Sequence, residues 1–93
     1  MSLDFEWDAD KAKSNIKKHA VSFEEASTVF RDPLARTIHD PQHSQDEDRY
    51  VILGESSRSR LIVVSFTDRE DRIRIISARV ATRKERRDYE EGN

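Results

Sequence analysis

"RYVILGES" (Arg49 to Ser56), "RLIVVSFT" (Arg60 to Thr67) and "RIRIISAR" (Arg72 to Arg79) decide the fold of this chain. Each run is rich in β-branched residues, and only short polar segments separate them, so the pattern predicts an antiparallel meander. Turns at Ser56 to Ser59 and Asp68 to Asp71 set a register in which Glu55 opposes Arg60 and Thr67 opposes Arg72. Carried along the third strand, that register sets Arg79 opposite Arg60. The rows Leu53, Ile62, Ser77 and Val51, Val64, Ile75 then share one mostly apolar face, as a sheet covered on one side requires.

The flanking segments read as helices with one strand at either side. "FEWD" (Phe5 to Asp8) predicts a short strand leading into a helix capped by Asp8, with Ala9, Ala12 and Ile16 inward and a polar stripe of Lys11, Asn15 and Lys18 outward. Ser22 and Glu25 form an S-x-x-E capping box that opens a second helix, whose apolar face is Phe23, Ala26, Val29 and Phe30. Pro33 stops it. "ARTIH" predicts an edge strand, and "DPQHSQDED" a polar loop. Thr82 and Glu85 make a second capping box at the start of a last helix. The expected order is β-α-α-β-β-β-β-α, an α+β domain spanning residues 1–93 with one antiparallel sheet against the two N-terminal helices.

Composition narrows the function classes. Hydrophobic residues make up 34% and charged residues 39%, so the core is small and the surface ionic. Cysteine is absent, which excludes disulfides, thiolate metal sites and a cysteine nucleophile. With no long apolar run and no signal-peptide pattern, a soluble cytoplasmic protein is expected. The net charge of −2 conceals an asymmetry: residues 1–57 hold 7 basic and 12 acidic groups, whereas residues 58–87 hold 10 basic and 4 acidic. A basic segment in an acidic chain points to a local anion site.

The expected register gives that site a location. Glu55, Arg60 and Arg79 fall in one row at a sheet edge, with Arg83 about a turn beyond. Adjacent like charges destabilise a sheet. Either Glu55 neutralises them as an ordinary surface cluster, or they converge on a phosphate, which the planar guanidinium suits. The last helix adds Arg86 and Arg87, and Tyr89, whose ring can stack on a base or rest on its own sheet. Arg36 lies outside this cluster. His39 and His43 are four apart but straddle Pro41 in an extended stretch, which argues against a metal site. His19 at a helix end and Glu47 in an acidic run have ordinary structural readings. No phosphate-cradling glycine loop is present.

Taken together, "FEWDADKAKSNIKKH", "VSFEEASTVFRDP", the "DEDRYVILGES" to "RLIVV" hairpin and "RIISARVATRKERRDYE" resemble the BrnT family of bacterial type II toxins over nearly the whole chain. The resemblance implies a RelE-like fold and a ribonuclease that arrests translation. It also implies a BrnA antitoxin with a ribbon-helix-helix region, in a 2:2 complex that binds operator DNA through the antitoxin. Two positions depart from the family pattern: Ala20 and Ser59 stand where glycine is usual, so each turn is stiffer here. The implied chemistry is metal-free and needs no cofactor: a neighbouring 2′-hydroxyl attacks phosphorus, Arg60, Arg79 and Arg83 stabilise the charge, and Glu47 or His19 moves the proton. Lys11, Lys18, Arg86, Arg87 and Tyr89 are the expected RNA contacts. A non-enzymatic module that binds nucleic acid or protein through the same basic end is the alternative.

Overall fold

The computed structural model describes residues 3–45 and 47–92. The elements follow the expected order: β1 (Asp4–Glu6), α1 (Ala9–His19), α2 (Phe23–Thr28), β2 (Arg36–Asp40), β3 (Arg49–Glu55), β4 (Leu61–Arg69), β5 (Arg72–Val80) and α3 (Arg83–Glu91). Short 3-10 turns follow α2 at Val29–Arg31 and β2 at Pro41–His43, the second lying in the segment expected to be a plain loop. The strands form one sheet in the order β1-β5-β4-β3-β2. It is mixed rather than wholly antiparallel, because β1 runs parallel to β5. No helix among the described residues is long and apolar enough to cross a membrane.

The helices α1 and α2 cover one face of the sheet. Beneath them lie the rows Tyr50, Phe66, Ile75 and Ile52, Val64, Ala78, paired across β3, β4 and β5. Val21, Phe23, Ala26 and Val29 close over these rows, all fully buried. Aromatic rings extend the core: Phe5 meets Phe30 at 5.2 Å, Phe30 meets Phe66 at 4.9 Å, and Phe66 stacks on Tyr50 at 5.6 Å. Gly54 belongs here for a steric reason, since a Cβ would meet the Cβ of Ala35 at 2.9 Å and Val29 at 3.0 Å.

Helix α1 seats differently from the expected pattern. Ala9 and Ile16 are exposed, whereas Asn15 is buried. Sheet edges explain it. Pairing between β1 and β5 stops at Glu6 and Arg74, so the outer backbone groups of β5 beyond that point need another partner. Asn15 supplies it, donating to the Ala78 carbonyl at 2.8 Å and accepting from the Ala78 N–H at 3.1 Å. Its second amide proton goes to the Val21 carbonyl at 2.9 Å.

The register is the main correction. Ser56 closes the β3–β4 turn against Arg60 (N–H to O 2.8 Å), and Glu55 therefore pairs with Leu61. At the other end β4 runs on to Arg69, which pairs with Arg72 across a two-residue turn, and the ladder shifts between Ser65 and Phe66. Ser59 (φ 61°) and Glu70 (φ 52°) take left-handed conformations in these turns, so neither turn is announced by a glycine. A one-residue slip exchanges faces. Arg79 consequently pairs with Val63, not Arg60, and the two arginines occupy opposite faces.

Arg60 instead reaches under α2. It donates to both carboxylate oxygens of Glu25, from Nε at 2.9 Å, and from its terminal nitrogen to the Ala20 carbonyl at 3.0 Å. The Glu25 side chain is only 3% exposed and also accepts from the Ser56 hydroxyl at 2.7 Å. The hydrogen bond from Arg60 holds its carboxyl below the usual range, against the opposing effect of burial. Only half of the first capping box forms, because Ser22 accepts from the Glu25 N–H while the Glu25 side chain is committed to Arg60. The Thr82–Glu85 box is complete.

Ala20 ends α1 in the left-handed conformation (φ 57°), its N–H bonded to the Ile16 carbonyl at 2.9 Å. Cβ sterics disfavour that geometry. Ala20→Gly is expected to stabilise the protein by about 1 kcal/mol, after allowance for the greater freedom of the unfolded glycine chain. Thermal melting checks this, and an unchanged or lower midpoint would contradict the assigned cap.

Candidate functional site

Residues paired directly across a sheet point to the same side. On the face away from α1 and α2 the pairing gives three rows. The first is Arg36, Leu53, Val63, Arg79; the second is Ile38, Val51, Ser65, Ser77; the third is Asp40, Arg49, Thr67, Arg74, with Glu6 of β1 at its end. One row of cation and carbon, one of carbon and hydroxyl, and one dominated by charge make an amphipathic floor.

Helix α3 lies against this face and none of its described residues is buried. Polar tethers hold it. Arg79 grips Glu85 through both terminal nitrogens, at 2.8 and 2.9 Å. Arg36 donates to the Asp88 carbonyl at 3.1 Å. The Tyr89 hydroxyl donates to Asp32, which also accepts from the Glu55 N–H at 2.8 Å. The last helix thus spans from β5 to the start of β2, and Arg36, expected to be uninvolved, is one of its anchors.

Grooves run along both sides of this arrangement. One is lined by Leu34, Arg36, Ile38, Leu53, Glu85 and Asp88. The second is lined by Asp40, Ser65, Ser77, Arg79 and Glu85, with Ile38, Val51 and Val63 as its apolar floor. Arg79 spends two of its five donors on Glu85, and one of those nitrogens also leans on the Val80 carbonyl at 3.5 Å. Further N–H donors remain for an anion. At the groove's other wall Asp40 bonds His43 Nδ1 at 2.9 Å.

The expected catalytic residues are therefore divided. Arg79 lies on the open face, and Arg83 is exposed in the first turn of α3. Arg60 is on the helix-covered side with His19, whose neighbour Ala20 it contacts. Glu47 is beyond the third row, bound by Arg69 at 3.1 and 3.2 Å, a contact that lowers its pKa. Lys11 and Lys18 are exposed on α1, on the covered side, while Arg86 and Arg87 are exposed on α3. Tyr89 is half-buried and its hydroxyl is committed to Asp32, which pushes it up to about 12, so it acts as an anchor more than as a stacking platform. Among the described residues no group of three or more His, Asp or Glu side chains is arranged to hold a metal ion.

Sequence reasoning missed Glu85 as the partner of Arg79, reading it only as a cap. It also missed Asp40 with His43, and Arg49 with Arg74. Only Glu85 carried a usable signal, since it lies six residues after Arg79 with a helix start between.

A small α+β protein with guanidinium and hydroxyl groups on one open sheet face has the equipment of a phosphodiester-binding protein. The sequence profile described as ribonuclease toxin, BrnT, of type II toxin-antitoxin system matches residues 7–85. The chain belongs to the BrnT family. The crystal structure of the Brucella abortus ribonuclease toxin BrnT superposes with a TM-score of 0.67, at 24% identity, over 88% of this chain and 100% of that one, which shows a shared fold. No curated protein matches the chain by sequence.

The Arg79 hydrogen bonds drive the Glu85 carboxyl down from 4.5 to about 2. A depressed carboxyl contributes stability that is present above its unfolded pKa and lost as pH falls through the folded one. The melting difference between the parent and Glu85→Gln should hence be constant above pH 4.5 and shrink as pH falls toward 2. A pH series of thermal melts reads this directly; a difference independent of pH would show that the pair contributes nothing.

Proposed function

We propose that this chain is the toxin of a type II toxin-antitoxin system and a metal-independent endoribonuclease whose cleavage of RNA arrests translation. The observation that carries the reading is the Arg79–Glu85 pair set over a groove floored by Val51, Val63, Ser65 and Ser77. Family membership supports the activity class.

The chemistry follows from what the groove offers. The 2′-oxygen of the substrate attacks the adjacent phosphorus while its proton passes to a base; the bond to the 5′-oxygen breaks and that oxygen is protonated. The products are a 2′,3′-cyclic phosphate and a 5′-hydroxyl. Arg79 meets the charge that grows on the non-bridging oxygens, and Glu85 holds the guanidinium in place beforehand. Arg83 at the start of α3 adds positive charge nearby. His43 is the base this reading prefers: Asp40, which lines the Arg79 groove, bonds its Nδ1, while the imidazole itself lines the neighbouring pocket with Glu47 and Arg49. Glu47, on the same side but already bound by Arg69, ranks second; His19 is on the covered side. Arg60 supports the fold through Glu25.

The silencing partner in this reading is a BrnA-like antitoxin with a ribbon-helix-helix region, in a 2:2 complex that binds operator DNA through the antitoxin. Ile38 and Leu34, 66% and 50% exposed beside α3, offer it apolar surface.

Arg79→Ala is expected to lower cleavage of labelled RNA by roughly two to three orders of magnitude, with Arg79→Lys recovering part of the loss. Arg60→Ala should act on melting instead, by about 3 kcal/mol, the lower end for an orphaned buried charge because Arg60 is partly exposed. The assay is run in EDTA, with product ends examined for cyclic phosphate. Activity abolished by EDTA would contradict the metal-free route, and RNA binding without cleavage would favour the non-enzymatic reading.

A further inference from the structure

The third row of the open face, with the arginines just beyond it, holds one guanidinium that no carboxylate among the described residues binds. Arg49 and Arg74 lie in the row and Arg69 and Arg72 just beyond it, with Glu6 and Glu47 bound among them and Asp40 and Asp4 standing cross-strand from Arg49 and Arg72. Arg74 donates to Glu6 at 3.0 Å, and Arg69 and Arg72 share the same carboxylate at 3.8 and 3.7 Å. Arg69 also holds Glu47. Arg49 makes no side-chain hydrogen bond or ion pair among the described residues. Arg69 and Arg72 are direct cross-strand partners, an arrangement that like charges disfavour. Between Arg49 and Arg74 lies Thr67, 1% exposed, whose hydroxyl has no hydrogen-bond partner among the described residues.

We infer that this end of the sheet is a second phosphate subsite, for the backbone of single-stranded RNA whose scissile phosphate lies at Arg79. The inference rests on the ribonuclease reading of the first site and extends it. Arg79 pairs with Val63 and Arg74 with Thr67, four residues along β4, so the two sites are about 13 Å apart on one face. A strand of RNA following β4 crosses the second row, with Ser65 and Ser77 beneath it, and brings separate phosphates to the two guanidinium groups. Arg49, with no carboxylate among the described residues bound to its guanidinium, has its N–H donors available to that backbone, and the exposed Arg72 and half-buried Arg49 are accessible to it. Contacts of this kind position the chain without reading bases.

The test uses a fluorescent 2′-O-methyl oligoribonucleotide, which cannot be cleaved, and anisotropy across a salt series. Arg49→Gln with Arg72→Gln should weaken binding about tenfold and reduce the salt slope by about 0.7 for each phosphate no longer neutralised. Lysine at both positions should restore the slope, and Lys13→Gln on α1 serves as the distant control. Melting curves confirm that each variant is folded. Unchanged affinity and slope in the folded glutamine variant would overturn the subsite. Binding is read without cleavage, so a parent that binds in this Arg49- and Arg72-dependent way yet cuts no RNA would support the subsite while sinking the ribonuclease reading.

Discussion

A carboxylate with 3% of its side chain exposed requires a cation, and the Glu25–Arg60 pair is where the sequence meets that requirement. Its geometry fixes more than two side chains. Ser56 contributes its hydroxyl to Glu25 and its N–H to the Arg60 carbonyl, so the ion pair and the β3–β4 turn form one unit. Once that turn closes at Ser56 and Arg60, every residue of β4 has a defined face. Ile62, Val64 and Phe66 go under the helices, and Leu61, Val63 and Ser65 go to the opposite side. The placement of Arg79 on the open face follows from the same register, carried across to β5.

The second face is built on a different principle. Its helix brings no buried side chain, so hydrophobic burial contributes little to holding α3, and charged or polar contacts to Arg79, Arg36 and Asp32 hold it instead. Such contacts are individually modest and sensitive to pH and salt. They leave Val51, Ser65 and Ser77 on the groove floor half-buried, though Val63 beside them is only 6% exposed. The same arginine that grips the helix faces the groove, so the helix is positioned by the residue it helps to orient.

Much of this was legible in the sequence. The three β-branched runs, the Asp8, Ser22 and Thr82 caps and the stop at Pro33 gave the element order, because each depends on local chemistry. The pairing register was not, since it depends on Ser59 and Glu70 adopting left-handed conformations that neither residue advertises, and on a bulge between Ser65 and Phe66. From that error came the expected Arg60–Arg79 row. Asn15 was misread because its task, satisfying the edge of β5, arises only from the shortness of β1. Arg79 was singled out as a member of that expected row; its partner Glu85 required the helix to be placed.

On the proposed reading, RNA lies on the sheet face opposite α1 and α2. Methyl NMR distinguishes the two faces, because alternate residues of the same strands report on each. Titration with the uncleavable oligoribonucleotide should shift Ile38, Val51, Leu53 and Val63 and leave Val21, Ile62, Val64 and Ile75 in place. Shifts centred instead on Ile16 and Val21, beside Lys18, His19 and Arg60, would contradict it and return the site to the helix-covered side.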